Sequence, residues 1–267
     1  NALSYSDSTP TGVSNTAVGA KAMENVRNGS NNVGIGFESL FGDASGSGSS
    51  NSSRCVVIGS EAMRGSEAGN DNIAIGFQAR RNCQGGNNNI AIGSETLFAN
   101  TPGSGNVAIG PKAMQNAELT GGSIQIGGYN ANTYSPVFNF GAFSSNIVAI
   151  GSTSVSDAYI NVAWTVVSDA RDKTDFAPVP HGLDFVNQLK PTAYRYKETR
   201  ESQEGHGSVR YGFKAQDVLE LEGDNSVIVD ARDSERLRFN DQSMIAVLVK
   251  AIQELSDQFE AYKASHP

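Results

Sequence analysis

The stretch Asn-Ile-Ala-Ile-Gly occupies residues 72–76, returns at 89–93, and stands as Asn-Val-Ala-Ile-Gly at 106–110. Related stretches continue the series, and the glycines that end them are Gly19, Gly36, Gly59, Gly76, Gly93, Gly110 and Gly127. Each glycine stands seventeen positions after the one before it, except that the longer step from Gly36 to Gly59 contains the Gly/Ser-rich stretch 42–53. A fixed period is the signature of a repeat protein. Because so short a unit cannot bury its own apolar side chains, the pattern predicts a stacked β-solenoid or β-roll over residues 1–127.

Large and small apolar residues alternate within each repeat. β-Branched residues stand one and three positions before the glycine, as Ile75 and Ile73 do, whereas the residue between them is small in most copies. Such alternation predicts a short strand with two unlike faces. We expect the β-branched face to fill the interior of the coil and the small face to lie close against a second chain. This assigns Ala74, Ala91 and Ala108 to a seam between the chains of a homotrimer.

Two further rows keep the same period. Asparagine stands four positions before the glycine in five copies, which favours a repeated turn with left-handed backbone. A second apolar row stands four positions after the glycine and is interrupted by Arg80. Cys55 takes the place of an asparagine and Cys83 lies in a turn, so we expect no disulfide between them. The two rows are Asn15, Asn32, Asn72, Asn89 and Asn106, and Met23, Leu40, Met63, Leu97 and Met114.

The composition of the chain changes near residue 168. Glycine is frequent in residues 1–167 and rare in residues 168–267, whereas charged residues are sparse in the first part and dense in the second. The formal net charge of −8 argues against nucleic acid and anionic membranes as partners. No apolar run reaches the length of a membrane span, so we expect neither membrane insertion nor a signal peptide. With two cysteines and three histidines, we expect no metal site and no cofactor.

The repeat resembles the head repeats of trimeric bacterial adhesins and of phage tail fibres over roughly residues 15–127. This resemblance implies a homotrimeric β-roll or β-solenoid. The expected fold is therefore a mainly β part over residues 1–127 and a small α+β domain over residues 168–267 that ends in a coiled-coil helix. Residues 128–167 form a cap or tip segment between these parts, and residues 159–167 are typical of a last strand.

The segment after Gly127 breaks the period and is rich in aromatic residues. Five of them fall between residues 129 and 143. One interpretation is a surface that contacts a host receptor, a glycan or a protein, because aromatic side chains anchor many recognition sites. The alternative is a small apolar core that caps the end of the solenoid. The candidate receptor-contact residues are Tyr129, Tyr134, Phe138, Phe140 and Phe143.

Residues 168–173 read Ser-Asp-Ala-Arg-Asp-Lys, at the point where the composition changes. A serine five residues before a lysine is common, and a serine or aspartate that caps a charged turn explains it. The other interpretation is a serine nucleophile, Ser168, with Lys173 as its base. Asp169 and Arg171 would then orient the turn between them.

The motif resembles the start of the intramolecular chaperone domain of phage endosialidases, tail fibres and neck appendages, the peptidase S74 family. The pattern of that family is Ser-Asp-x-Arg-x-Lys. Residues 189–197 are similar to its Lys-Pro-x-x-Tyr-Arg-Tyr segment, and residues 211–218 to its Gly-Phe-x-Ala-Gln-Glu-Val segment. The resemblance runs over nearly all of residues 165–262.

The resemblance implies a chaperone that cuts its own chain once at the Val167–Ser168 bond, with Ser168 and Lys173 as catalytic residues and no external substrate. Asp172 departs from the family, which has an apolar residue before the lysine. A nearby carboxylate favours the charged ammonium form of Lys173, whereas a base must be neutral. Asp172 is therefore expected to slow the cut unless its side chain points away.

The C-terminal end of the chain, from Ile245 onward, carries an apolar stripe with steps of three and four. Such a narrow stripe is typical of a short coiled coil, and with the trimers that the family implies it predicts a three-stranded one. The alternative is a helix that packs on the core of its own domain, which needs a wider stripe. The stripe consists of Ile245, Leu248, Ile252, Leu255, Phe259 and Tyr262.

These patterns together predict the distal segment of a phage tail fibre or spike, assembled in the host cytoplasm and acting outside the cell as part of the virion. One alternative is a spike that degrades polysaccharide, which requires two carboxylates at a set separation. Glu38, Glu61 and Glu95 share one repeat position with lysines and a glutamine, which is typical of a solvated row. Another alternative is a cellular protein with the same self-cleaving domain, which the adhesin-like repeats disfavour.

Overall fold

The computed structural model of the chain divides into two compact units. The first contains Asn1–Asp157 and Glu198–Ser202, and the second contains Ala158–Lys197 and Gln203–Pro267. The structure describes residues 12–42, 51–65, 69–83, 85–99, 102–116, 121–128, 145–151, 161, 166–197, 200–223, 226–232, 234 and 237–266.

The first unit is a solenoid with one short strand in each repeat. Eight strands of three residues form one parallel sheet in chain order. Each strand pairs with the next without a shift, so that Ala74 lies beside Ala91 and Ala91 beside Ala108. The strands are β1 (Thr16–Val18), β2 (Val33–Ile35), β3 (Val56–Ile58), β4 (Ile73–Ile75), β5 (Ile90–Ile92), β6 (Val107–Ile109), β7 (Ile124–Ile126) and β8 (Val148–Ile150). The predicted solenoid is confirmed.

The glycine that ends each strand is required by the stacking of the coils. Gly76 has a φ of +134°, a conformation that other residues rarely adopt. A Cβ on Gly76 would lie 2.5 Å from the carbonyl oxygen of Gly93 in the next coil. Both the turn and the close approach of the two backbones therefore exclude a side chain here.

The small residues face the interior of the coil, opposite to the prediction. Ala74, Ala91 and Ala108 are 0% exposed in a single chain, where they pack in clusters with Met63, Leu97 and other members of the second apolar row. These long side chains fill the narrow coil, so that the strand position facing them is small in most repeats, although Val57 and Gln125 occupy it in two of them. The assignment of the three alanines to a seam between chains is therefore wrong.

The β-branched residues that precede the glycines face outward. Ile58 and Ile92 are each 36% exposed, and Val18 is 55% exposed. We call this set the outward row; it consists of Val18, Ile35, Ile58, Ile75, Ile92, Ile109 and Ile126. The apolar surface on the strand side of the solenoid is therefore formed by β-branched residues and not by the alanines, which are covered by their own chain.

The buried asparagines form a ladder of side-chain hydrogen bonds from coil to coil. Asn72 Oδ1 accepts from the backbone N–H of Asn89 at 2.9 Å, and Asn89 Oδ1 accepts from that of Asn106 at 3.0 Å. The amide group of Asn72 also donates to the carbonyl oxygen of Gly86 at 3.0 Å. The predicted left-handed backbone lies one residue earlier, as at Asp71, whose φ is +59°. The asparagine is thus needed because its side-chain amide both donates and accepts a hydrogen bond, and not because of its backbone conformation.

Cys55 interrupts this ladder, and we expect asparagine at this position to stabilise the solenoid. Its Sγ contacts the carbonyl oxygen of Gly69 at 3.3 Å, the acceptor that the asparagine amide would use, but for the backbone N–H of Asn72 its sulfur is a weaker acceptor than an amide oxygen. Cys55→Asn should raise the free energy of unfolding by about 1 kcal/mol, measured by denaturant titration. Cys55→Ser, which lacks the amide, is the control and should give no such gain.

An enlarged side chain at Ala91 should destabilise the coil itself. Ala91→Leu should cost roughly 1–3 kcal/mol through overpacking, because the interior is already filled by Leu97 and Met114. Ile92→Leu on the outward row, a swap of nearly equal volume, is the matched comparison and should lower the thermal midpoint of the solenoid less than Ala91→Leu does. Equal midpoints for Ala91→Leu and the parent chain would contradict the inward placement.

Both cysteines are free and fully buried. Burial raises the pKa of the Cys55 thiol, so that this group stays protonated at neutral pH. The expectation of no disulfide between Cys55 and Cys83 is confirmed.

The second unit is a small α+β domain. A short 3-10 turn, Ala170–Asp172, is followed by α1 (Leu183–Gln188), β9 (Thr192–Lys197), β10 (Gly205–Gly212), α2 (Ala215–Glu222), β11 (Val229–Asp230), β12 (Arg238–Phe239) and α3 (Asp241–Ser265). Strands β9 and β10 pair antiparallel, as do β11 and β12. The core of this unit consists of Phe185, Val218, Ile228, Val229, Met244 and Val247.

Helix α3 has two apolar faces with different partners. Met244, Val247 and Ala251 are buried against the core of their own domain. The predicted coiled-coil stripe is a separate face, along which Ile252 is 66% exposed and Leu255 54% exposed. The alternative of a helix packed on its own core is therefore true of one face only, and the stripe has no apolar cover in a single chain.

No helix in the described residues is long and apolar enough to cross a membrane. Within the same residues, no group of three histidine, cysteine, aspartate or glutamate side chains is placed to hold a metal ion.

Candidate functional site

The Ser-Asp-Ala-Arg-Asp-Lys motif forms a capped turn at the start of the second unit. Asp169 precedes the 3-10 turn, and its Oδ1 accepts a hydrogen bond from the backbone N–H of Arg171 at 2.9 Å. The turn is closed by the N–H of Lys173, which donates to the Ala170 carbonyl oxygen at 3.3 Å. Because this turn folds back on itself, residues five apart in sequence come together.

The turn brings the two proposed catalytic side chains into direct contact. Lys173 Nζ lies 2.6 Å from Ser168 Oγ, a short hydrogen bond in which the ammonium group donates. The same geometry serves the reverse transfer, because a neutral Lys173 would accept the hydroxyl proton across this distance. The structure therefore places the side-chain amine of Lys173 within hydrogen-bonding distance of the Ser168 hydroxyl, directly after the Val167–Ser168 bond.

Asp169 and Arg171 form an ion pair across the turn. The guanidinium of Arg171 lies 2.6 Å from Asp169 Oδ2, and its hydrogen bonds hold the pKa of the Asp169 carboxyl below its usual range. Within the described residues, the side-chain hydrogen bonds of Asp169 and Arg171 join these two residues to each other and not to Ser168 or Lys173. Their contacts fit the orienting role that the sequence suggested, which remains a prediction.

The site is open to solvent in a single chain. Val167 is 80% exposed, and Ser168, Asp172 and Lys173 are all exposed. The backbone N–H of Asp172 bonds to the Asp169 carbonyl oxygen at 3.1 Å. The described residues of a single chain therefore do not bury Lys173.

The acidic row of the solenoid is paired with basic and amide side chains. Glu38 is nearly buried and lies 2.5 Å from Arg64 Nε and 3.4 Å from Lys21 Nζ. Glu61 and Glu95 have similar partners in neighbouring coils: Arg81, Gln78, Lys112 and Gln115. The row is thus a set of carboxylates paired with basic and amide side chains of neighbouring coils.

Some sequence predictions lie outside the described residues. These include all five aromatic residues proposed for receptor contact, Tyr129, Tyr134, Phe138, Phe140 and Phe143, and most of the predicted last strand. Residues 43–50 of the Gly/Ser-rich insertion also lie outside the described ranges.

Comparison with known protein families identifies the region around this turn. Residues 168–227 match the family model described as chaperone of endosialidase, Peptidase_S74. The match begins at Ser168 and includes the capped turn, β9, β10 and α2. No curated protein and no solved structure matches the chain significantly. The family prediction is confirmed for residues 168–227 and, with the solenoid, supports a likeness to phage tail-fibre proteins that carry this chaperone.

Proposed function

We propose, from the family match of residues 168–227, that this chain is a segment of a homotrimeric phage tail fibre or spike whose C-terminal domain assembles it and then cuts itself off. The observation that carries the proposal is the 2.6 Å hydrogen bond between Lys173 Nζ and Ser168 Oγ at the first matched residue. The products are residues 1–167, which remain in the fibre, and residues 168–267, which are released.

Ser168 is the nucleophile because its hydroxyl lies one residue beyond the carbonyl that it attacks. Lys173 accepts the hydroxyl proton as Oγ adds to the Val167 carbonyl carbon through a five-membered ring. The C–N bond then breaks, and the Ser168 nitrogen takes a proton to become a free amine while an ester links Val167 to Oγ. A water molecule hydrolyses the ester, which leaves a carboxylate on Val167 and restores the Ser168 hydroxyl.

Assembly supplies the condition that activates Lys173. In water the ammonium form dominates and cannot accept a proton, whereas burial disfavours the charged form. The exposed site of a single chain is therefore idle, and three chains that enclose Lys173 favour its neutral form. This couples the cut to completed assembly.

The exposed carboxylate of Asp172 opposes the effect, so that Asp172→Asn should speed the cut.

Two uncovered apolar surfaces support a trimer. The outward row runs along the solenoid, and the exposed stripe runs along α3 from Ile245 to Tyr262. Contiguous apolar surfaces of this kind mark sites of association. Three copies of α3 would bury the stripe as a coiled-coil core, while three solenoids would bring their outward rows together.

Three chains of a repeat protein can associate in several registers, so that the correct register has to be selected during assembly. Chains that meet one repeat out of register form nearly the same contacts as chains that meet correctly. A domain that trimerises first brings equivalent coils together and lowers the entropic cost of closing the fibre. Removal of that domain then leaves a fibre that is slow to unfold and cannot refold, which is kinetic stability.

Receptor contact, a glycan or a protein of the host surface, is assigned to residues 128–145 and to the insertion 42–53. These stretches break the repeat, and loops on a rigid scaffold commonly carry recognition. A fibre that lacks both loops should assemble but lose adsorption to host cells. Adsorption equal to that of the parent fibre would place the contact elsewhere.

A comparison of two lengths of the chain tests the chaperone. The full chain should yield a trimer of residues 1–167 by native mass spectrometry, whereas residues 1–167 expressed alone should yield aggregate or monomer. Equal trimer yields from both would contradict the chaperone function.

Incubation with host glycans should release no oligosaccharide, and release would favour the polysaccharide-degrading alternative.

A further inference from the structure

Helix α3 holds a distant segment of its own domain through two charged side chains. Lys250 Nζ donates to the carbonyl oxygen of Val179 at 2.7 Å, and Glu254 Oε2 accepts from the Leu183 N–H at 2.6 Å. The two side chains also form an ion pair at 3.5 Å, one helical turn apart. Both hydrogen bonds are partly buried and join residues 71 positions apart. We call these contacts the anchor of residues 179–183.

The absence of a side chain at Gly182 leaves space for the Glu254 carboxylate. Gly182 stands directly before α1, and a Cβ there would lie 2.5 Å from Glu254 Oε1 and closer still to Oε2. The carboxylate thus occupies the place of a side chain and bonds the first N–H of the helix. This hydrogen bond holds the pKa of Glu254 below its usual range, so that the group is charged at neutral pH.

A short segment with a restricted backbone links the Ser168–Lys173 turn to the anchor. Six residues lead from Lys173 to Val179, which span at most about 20 Å. Pro178 and Pro180 flank Val179 and restrict the backbone around it. Within the described residues 166–178, the hydrogen bonds all lie inside the turn. Within that part of the chain, the anchor is therefore the first hydrogen bond that ties the turn to the rest of the domain.

The same helix carries the uncovered stripe. Leu248, Ile252 and Leu255 alternate along α3 with Lys250 and Glu254, and are exposed on a different face. A helix that is fixed against two other chains by its stripe also fixes residues 179–183 through its anchor. The position of the turn in the assembled trimer then follows from the position of the helix.

We propose that Lys250 and Glu254 are positioning residues for self-cleavage, which tie the Ser168–Lys173 turn to the helix that assembles. This inference rests on the proposed function and names the link between assembly and the cut. Neither residue touches the reacting atoms. Loss of the anchor leaves the Ser168–Lys173 hydrogen bond intact but frees the turn from the place where other chains enclose Lys173.

The test follows the cut in the full chain after a pulse of synthesis, with the fraction cut read on a denaturing gel and the trimer on a native gel. Lys250→Ala and Glu254→Ala should each slow the cut at least tenfold while the trimer still forms. Lys250→Arg, which keeps a charged donor, should restore the rate to within about threefold of the parent. Lys263→Ala is the matched control, because it removes an exposed Lys–Glu pair from the same helix and should leave the rate unchanged.

A second measurement keeps the inference testable if a variant assembles poorly. In the uncut Ser168→Ala chain, hydrogen exchange at Leu183 should accelerate on Lys250→Ala or Glu254→Ala, and remain slow on Lys263→Ala. Cutting of Lys250→Ala and Glu254→Ala at the parental rate, with the parent cut at Val167–Ser168, would overturn the anchor alone. A parent chain that stays whole would overturn the proposed function and the anchor with it.

Discussion

Ser168→Ala is expected to leave the chain whole, with the cut slowed at least roughly 10³-fold, because no other hydroxyl can form the five-membered ring with the Val167 carbonyl. The uncut chain should still trimerise, since Ser168 contributes only its exposed hydroxyl to the turn. The measurement is a denaturing gel of the purified chain, on which one band near 28.1 kDa replaces two smaller ones.

Four companion variants test Ser168 as the nucleophile and Lys173 as the base. Ser168→Cys keeps a nucleophile and should retain measurable cutting, whereas Ser234→Ala, an exposed serine of the same domain, should cut as the parent does. Lys173→Arg keeps the charge and a hydrogen-bond donor but cannot become neutral, so it should fail like Lys173→Ala. Full cutting by Lys173→Arg would show that Lys173 does not act as the base.

The second large effect is expected at the exposed stripe of α3. Ile252→Asp places three carboxylates in the core of the predicted coiled coil and should weaken association by roughly 100-fold or more. Under the proposed coupling of the cut to assembly, the same variant should remain uncut although its Ser168–Lys173 turn is untouched. Analytical ultracentrifugation and a denaturing gel measure the two effects.

The control for this variant lies on the solvated part of the same helix. Gln253→Asp introduces the same charge beside Ile252, at an exposed position outside the stripe, and should assemble and cut normally. A trimer formed by Ile252→Asp with parental affinity would exclude the stripe as an association surface. Cutting of a monomeric Ile252→Asp chain would separate the cut from assembly.

The sequence predicted the repeat and its strands but not which face of each strand is inside. Alternation of Ile75 and Ala74 requires two unlike faces and is equally consistent with either orientation. The decision depends on Met63 and Leu97, which pack against the alanines inside the coil and limit the space beneath the strands. Side-chain volume across the coil is a property of the fold and has no local signal in the strand.

Hydrogen bonds between residues far apart in the chain also could not be predicted from the sequence. The hydrogen-bond ladder that includes Asn72 and Asn89 is visible in the sequence as a periodic asparagine, but the sequence analysis interpreted that asparagine as a preference for left-handed backbone. The contacts of Lys250 and Glu254 with residues 179–183 left none, because a lysine and a glutamate one turn apart are usual on any exposed helix. The Ser168–Lys173 contact, in contrast, was predictable because both residues lie in one short turn and the family resemblance drew attention to them.

The most direct test of self-cleavage is mass spectrometry of the freshly expressed, purified full chain, followed over time without added protease. The account predicts two pieces, one that ends with Val167 and one that begins with Ser168 and ends with Pro267. Both should appear in equal amounts and only as the trimer forms. A chain that remains whole as a trimer, or a new amino terminus at any other residue, would contradict it.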